Sequence, residues 1–240
     1  MIRRAEFAAA LAICLIGLGL RTVQIDYNFD SDEVFSAQMA EQPFDELIRQ
    51  SLEDRAHPPL HNLLLSPWVQ VFGPGEVSTR SFSVLCSAAF LIAAYCLLRK
   101  LMPPAPALGV LALLNVSPFF VYYGQTARPY SLLALVSAIN LLAFLRLIEG
   151  PGDRRRLLLW TASCAGLVWT QYLAVLTIAV EVAVLLPGLP RRNQLAVVIG
   201  GAMGVAAILP WLIAAMGSQI VQRTDPLTRI VWIERPVPQD

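Results

Sequence analysis

The chain has 240 residues, 56% of them hydrophobic and only 15% charged, with a formal net charge of +1. Soluble domains carry about 25% charged residues, so this composition excludes a domain solvated on all sides, and the mean hydropathy of +0.59 agrees. No basic patch of the kind that binds nucleic acid is present.

In chain order, the first apolar segment covers residues 5–22 and follows Arg3-Arg4. It is long for a signal-peptide core and lacks a small-x-small cleavage site, so it reads as an uncleaved span. Further apolar segments lie at 81–98, 105–122, 129–148, 157–187 and 195–216. Most match the ~20 residues that cross a bilayer core. The segment 157–187 is too long for one span, and Gln171-Tyr172 in its middle supplies the turn between two short ones.

Basic clusters stand at Arg3-Arg4, Arg99-Lys100, Arg154-Arg155-Arg156 and Arg191-Arg192. With seven spans all of them share one face, which the positive-inside rule makes cytoplasmic. Six spans would leave Arg191-Arg192 outside. The expectation is therefore an all-α membrane protein of about seven transmembrane helices, with its N-terminus cytoplasmic. Its transmembrane region is 1–216, its helical first outer loop 26–80, and its outer-face tail 217–240. Cys14, Cys86, Cys96 and Cys164 fall inside spans and act there as small apolar residues. A disulfide framework or metal set would place them in loops at fixed spacings.

The outer loop holds both histidines and most of the acids. Nine carboxylates (Asp26, Asp30, Asp32, Glu33, Glu41, Asp45, Glu46, Glu53, Asp54) face two arginines, Arg49 and Arg55, which argues against docking on anionic lipid. Asp30 or Ser31 can cap a helix beginning at Asp32, and Asp30-x-x-Glu33 fits a capping box. First-turn carboxylates meet the positive end of the helix dipole, which favours the ionised form a general base needs. Starting a helix is an equally good use for these acids. Pro58-Pro59 then opens a helix whose apolar stripe comprises Leu60, Leu63, Leu64, Pro67, Trp68, Val71 and Phe72. Too short to span, this 59–72 helix is expected to lie in the membrane interface. His57 and His61 are four apart, but without a following Glu they do not form a zinc motif. They read either as solvated interface residues or as contacts for an anionic substrate.

The short outer turn Tyr122-Tyr123-Gly124-Gln125-Thr126-Ala127-Arg128-Pro129-Tyr130 carries Arg128, held by Pro129. Its tyrosines suit an aromatic belt and its arginine can snorkel. A fixed guanidinium also suits bidentate phosphate binding. Glu181, within the sixth span, is a functional candidate by position, with a structural role as the alternative.

Asp32-Glu33, then His57-Pro58-Pro59-Leu60, then Gly75 with Arg80 and Ser83, then Ala127-Arg128-Pro129-Tyr130-Ser131-Leu132: this order resembles the bacterial protein O-mannosyltransferase-like glycosyltransferases. The resemblance implies a GT-C fold enzyme of the bacterial cytoplasmic membrane. Such an enzyme moves a sugar from a polyprenyl-phosphate donor to an acceptor protein, glycolipid or polysaccharide on the outer face. It implies Asp32 as catalytic base with Glu33 supporting it or binding acceptor, His57 and Arg128 at the donor phosphate, and His61, Gln125, Tyr130 and Tyr172 in support. No cofactor is certain and no metal ligands are assigned; a divalent metal is possible, but Thr126 stands where many members carry a Glu that supplies a second acidic contact. Gln171 replaces the His or Lys that precedes the counterpart of Tyr172. Full members continue through further spans after a segment like Trp232-Ile233-Glu234-Arg235-Pro236, so the chain is expected to be C-terminally incomplete. The competing readings are an inactive fragment or partner subunit and, less favoured, a transporter, which would carry mid-membrane charges and internal repeats.

Overall fold

A computed structural model describes residues 4–54 and 57–222, and every regular element among them is helical. The helices are α1 (Arg4–Thr22), α2 (Ser31–Glu41), α3 (Phe44–Glu53), α4 (Leu60–Phe72), α5 (Glu76–Leu101), α6 (Pro104–Val116), α7 (Pro118–Gln125), α8 (Tyr130–Glu149), α9 (Arg154–Thr170), α10 (Val175–Leu185), α11 (Arg191–Ala206) and α12 (Leu209–Gln222). Short 3-10 turns lie at Tyr172–Ala174 and Leu186–Gly188. Arg3, Arg55 and the 223–240 part of the expected tail, including Trp232 to Pro236, lie outside the described residues.

Helices α1, α5, α8 and the α11–α12 rod are long and apolar enough to cross a membrane. The segment 105–122, read in sequence as one straight span, is broken: α6 and α7 meet at 56°. Pro118 explains the break, since it has no amide to donate and its ring clashes with the preceding turn. Residues 157–187 divide at Gln171, whose backbone is extended (φ −153°, ψ 124°), as the polar pair there suggested. The two pieces, α9 with 17 residues and α10 with 11, are shorter than the long spans.

Two clusters form the body of the bundle. Trp160, Leu167, Ile178, Val197 and Trp211 join α9 through α12, while Ala10, Leu91, Ala107 and Leu111 join α1, α5 and α6. Small residues set the close approaches. A Cβ on Gly204 would meet the Cβ of Cys164 at 2.6 Å and the Thr161 carbonyl at 2.9 Å, so α11 lies directly on α9. A Cβ on Gly17 would strike the Asn115 amide, where α1 crosses α6. Arg21, fully buried at the end of α1, ties that crossing together. Its Nε donates to Ser87 Oγ (2.7 Å) and its Nη1 to the Gly17 and Asn115 carbonyls (2.9 and 3.3 Å). A basic group capping the last carbonyls of a helix offsets part of the cost of burying its charge.

The outer loop folds onto one end of this bundle. Helix α4 turns His61, Asn62, Leu65, Ser66 and Val69 inward, where Leu65 and Val69 pack with Ala40 of α2, Phe82 of α5 and Leu132 of α8. The predicted stripe is divided, with Leu64, Val71 and Phe72 exposed and Leu60 and Trp68 packed against the same cluster. That arrangement suits a helix whose outer face meets lipid. Trp68 is half-buried and anchors the helix through its indole N–H to the Ser78 carbonyl, 2.9 Å away. Because α4 packs on both α2 and α5, it helps position the acidic helix start against the α7–α8 turn.

Candidate active site

The start of α2 forms the capping box that its sequence announces. Asp30 Oδ1 accepts from the Glu33 amide at 2.8 Å, and Glu33 Oε2 accepts from the Asp30 amide at 3.2 Å. The helix begins at Ser31, one residue earlier than expected. Glu33 does more than cap. Its carboxylate is fully buried and accepts from Arg80 through both Nε (2.9 Å, to Oε1) and Nη2 (2.6 Å, to Oε2). The Ala127 amide donates to Oε1 at 2.7 Å. Burial alone would raise this carboxyl's pKa, but Arg80 and the amides of Ala127 and Asp30 outweigh it and hold the group below its ordinary value.

Arg80, itself fully buried, also donates to the carbonyls of Ile25 (2.9 Å), Tyr27 and Asn28 (3.2 Å). The Tyr27 ring lies under its guanidinium at 3.6 Å. One buried ion pair thus gathers the loop after α1, the start of α2, the second turn of α5 and the turn before α8. Glu33 is adjacent to Asp32 and its partner Ala127 is adjacent to Arg128. Fixing the first member of each pair fixes the second.

Asp32 points outward, its side chain 71% exposed, while that of Arg128 is 10% exposed. Arg128 Nη2 lies 3.6 Å from Asp32 Oδ2, and its Nη1 donates to the Asp32 carbonyl at 3.2 Å. On the other side of Arg128, His57 Nε2 is 3.4 Å from Nη2. His57 Nδ1 is 3.2 Å from Asp54 Oδ2. These partners assign the proton to Nδ1, donated to Asp54, so that Nε2 accepts from Arg128. Asp32, Arg128, His57 and Asp54 therefore form one continuous polar chain at an exposed edge.

His61 sits behind this chain, buried, with its ring edge-on to Phe82 at 5.9 Å and Nδ1 at 3.3 Å from Asn62 Oδ1. Burial lowers its pKa to about 4, the Asn62 contact partly offsetting this, and the charge of Arg128 acts in the same direction as burial. Two buried nitrogens here, His61 Nε2 and Arg128 Nε, have no hydrogen-bond partner among the described residues. A void of about 10 Å³, lined by Phe35, His57, His61, Asn62 and Arg128, lies behind the exposed edge and is too small for a sugar.

Other predicted residues are placed elsewhere or differently. Gln125 donates to the Val23 carbonyl at 2.7 Å, tying the α7 end to α1. Tyr130 lines, with Phe90, Phe119, Phe120 and Tyr123, an apolar crevice of about 160 Å³ between α5, α7 and α8, two residues from Arg128. Tyr172 packs against the Trp160–Trp211 cluster. Thr126 donates to the Tyr122 carbonyl at 2.8 Å. Glu181 accepts from the Trp160 indole at 2.8 Å within the bundle, a structural contact. Among the described residues, no group of three or more His, Cys, Asp or Glu side chains converges as metal ligands. Sequence reading assigned no role to Asp54 beyond its charge, and none to Arg80 beyond its place in a motif. A lone arginine opening an apolar span, with a paired acid upstream, was the available signal for Arg80.

Residues 56–214 match the family described as dolichyl-phosphate-mannose-protein mannosyltransferase. The chain belongs to this family. Comparisons with curated proteins and with solved structures gave no match. Membership and the apolar helices together make the chain a membrane protein of a glycosyltransferase family. The matched region holds His57, Arg80 and Arg128, whereas Asp32 and Glu33 precede it. Those two acids are joined to the family region by the Glu33–Arg80 pair and the Asp32–Arg128 contact.

Proposed function

We propose that the chain transfers a sugar from a polyprenyl-phosphate donor to an acceptor at the outer face of the cytoplasmic membrane, by a single inverting displacement. The observation that carries this reading is Arg128 standing between the exposed Asp32 carboxylate and the His57 ring. Asp32 takes the proton of the acceptor hydroxyl as that oxygen attacks the anomeric carbon. The bond between the anomeric carbon and the phosphate oxygen breaks, and the Arg128 guanidinium, held in place by His57 Nε2, stabilises the charge that develops on the departing phosphate. Glu33 acts as a positioning residue, because its oxygens are already occupied by Arg80 and two backbone amides. The aromatic crevice at Tyr130 suits the first isoprene units of a lipid whose phosphate rests at Arg128.

The test is sugar transfer from a polyprenyl-phosphate donor by the purified protein, with binding of the polyprenyl phosphate measured alongside. Asp32→Asn should lower turnover about 10²–10⁴-fold, the range of general-base catalysis, and leave lipid binding nearly unchanged. Arg128→Ala should weaken lipid binding strongly, and Arg128→Lys should restore only part of it, since an ammonium cannot match the bidentate fork. Full turnover in Asp32→Asn, or unchanged binding in Arg128→Ala, refutes the assignment.

A further inference from the structure

The opposite end of the bundle carries a second built feature that the transfer reaction does not use. Helices α8 and α9 line a crevice of about 260 Å³ through Ile139, Leu142, Ala143, Leu159, Arg146 and Arg156. Ile139 and Leu159 are exposed at 45% and 49%, so its apolar part opens sideways, toward where lipid lies. The two arginines stand at the helix ends, Arg146 in the last turn of α8 and Arg156 in the first turn of α9. Their arrangement is ordered. Arg156 Nη1 donates to the Arg146 carbonyl at 2.7 Å, folding back over the turn where Gly150 has no side chain to block it.

Charge at this corner is unbalanced. Glu149 is engaged by Lys100 at 2.5 Å and lies 3.8 Å from Arg156. Asp153 contacts Arg156 Nε at 3.2 Å while also capping α9. Among the described residues Arg146 has no carboxylate within 4.0 Å, and Arg154 and Arg155 add two more exposed cations. Lys100, Arg146, Arg154, Arg155 and Arg156 therefore outnumber Glu149 and Asp153 by three. A guanidinium pair above an apolar, sideways-open crevice has the polarity of an anionic phospholipid, whose phosphate sits at the interface and whose chain runs along the helices.

We infer that the α8–α9 crevice binds one anionic diacyl phospholipid, its phosphodiester between Arg146 and Arg156 and an acyl chain along Ile139, Leu142 and Leu159. This site is separate from the proposed transfer site and stands whether or not that reaction is confirmed. Charge, rather than chain, gives the selectivity. A basic residue near a membrane surface contributes ~1 kcal/mol toward an anionic headgroup, about fivefold in affinity, so two together give about 30-fold.

The experiment is native mass spectrometry of the purified protein in detergent, titrated with phosphatidylglycerol or with phosphatidylcholine of the same chains. The unmodified protein should hold one phosphatidylglycerol about 30-fold more tightly than phosphatidylcholine. The double variant Arg146→Gln/Arg156→Gln should lose that preference and keep its phosphatidylcholine affinity. Arg154→Gln/Arg155→Gln should retain most of it. Equal affinities in the unmodified protein, or equal losses in the two double variants, overturn the inference, the latter by showing diffuse attraction without a site. A photoreactive-tailed phosphatidylglycerol on the unmodified protein removes dependence on the variants' folding. Its adducts should map to residues 139–159, and adducts confined to other helices overturn the inference. Displacement by millimolar inorganic phosphate alone also overturns it, because the site would then take the ion without the lipid.

Discussion

Asp32 and Glu33 are consecutive acids in opposite surroundings, and their variants should behave differently. Glu33→Gln leaves the Arg80 guanidinium buried without its anion, a change that costs about 3–5 kcal/mol for an ion pair closed off from solvent. Its thermal midpoint in detergent should fall sharply, with transfer activity lost as a consequence. Asp32→Asn removes an exposed carboxylate and should stay within ~0.5 kcal/mol of the parent. Equal midpoints for the two variants would contradict the division between positioning and chemistry. His61 gives a pH signature. Its ring is buried neutral with a pKa lowered to about 4, against 6.5 in the unfolded chain. Stability from this difference is full above pH 6.5 and declines as pH falls toward 4, because only the unfolded state takes up the proton in that window. The loss amounts to ~3 kcal/mol. Glu33 adds a further loss below pH 4.5, its carboxyl being held ionised by the fold. His61→Gln should flatten the dependence of the thermal midpoint between pH 6.5 and 4; an unchanged slope would show that His61 is solvated.

At the scale of elements, the contact of α9 with α11 depends on the absence of a side chain. Gly204→Leu has to displace Cys164 and the Thr161 carbonyl, and overpacking of this kind costs ~1–3 kcal/mol or more. Gly109→Leu is the matched control, since a Cβ there meets nothing within 4 Å. Thermal midpoints in detergent should separate the two variants, and a Gly204→Leu protein as stable as Gly109→Leu would mean that the helices do not pack as described. Capping and periodicity made several elements legible beforehand: the α2 start from Asp30-x-x-Glu33, the α4 stripe from its i, i+3, i+4 spacing, and the break at Gln171. The bend between α6 and α7 was marked only by Pro118. Hydropathy is continuous across 105–122, and the kink becomes definite once Arg21 and Asn115 join α1 to α6.

For the whole molecule, the distribution of arginines and lysines is the decisive feature. Arg99, Lys100, Arg154, Arg155 and Arg156 belong to one end of the bundle, and His57 with Arg128 to the other. In a background with Cys14, Cys86, Cys96 and Cys164 replaced, His57→Cys should react in intact cells with a membrane-impermeant maleimide. Arg154→Cys should react only after permeabilisation. The reverse pattern would invert the orientation and move the proposed transfer to the cytoplasmic face.

The sequence by itself determined the membrane class, the helical character of the apolar segments, the capped start of α2 and the residue types at the candidate site. Those properties depend on composition and on spacing within a few residues, where hydropathy, proline and capping act directly. Of the seven spans expected, four of the described helices, or five with the bent α6–α7 pair, are long and apolar enough to cross a membrane. Tertiary structure decided which polar residues meet. Arg80 is 47 positions from Glu33, and Arg128 is 96 from Asp32, so no local rule pairs them. Their meeting depends on α4 packing between α2 and α5 and on the kinked α6–α7 segment delivering its turn to the same corner. Burial then separated the two acids. Glu33 faces a buried guanidinium that outweighs the cost of its desolvation, and Asp32, one residue earlier on the helix, is turned outward.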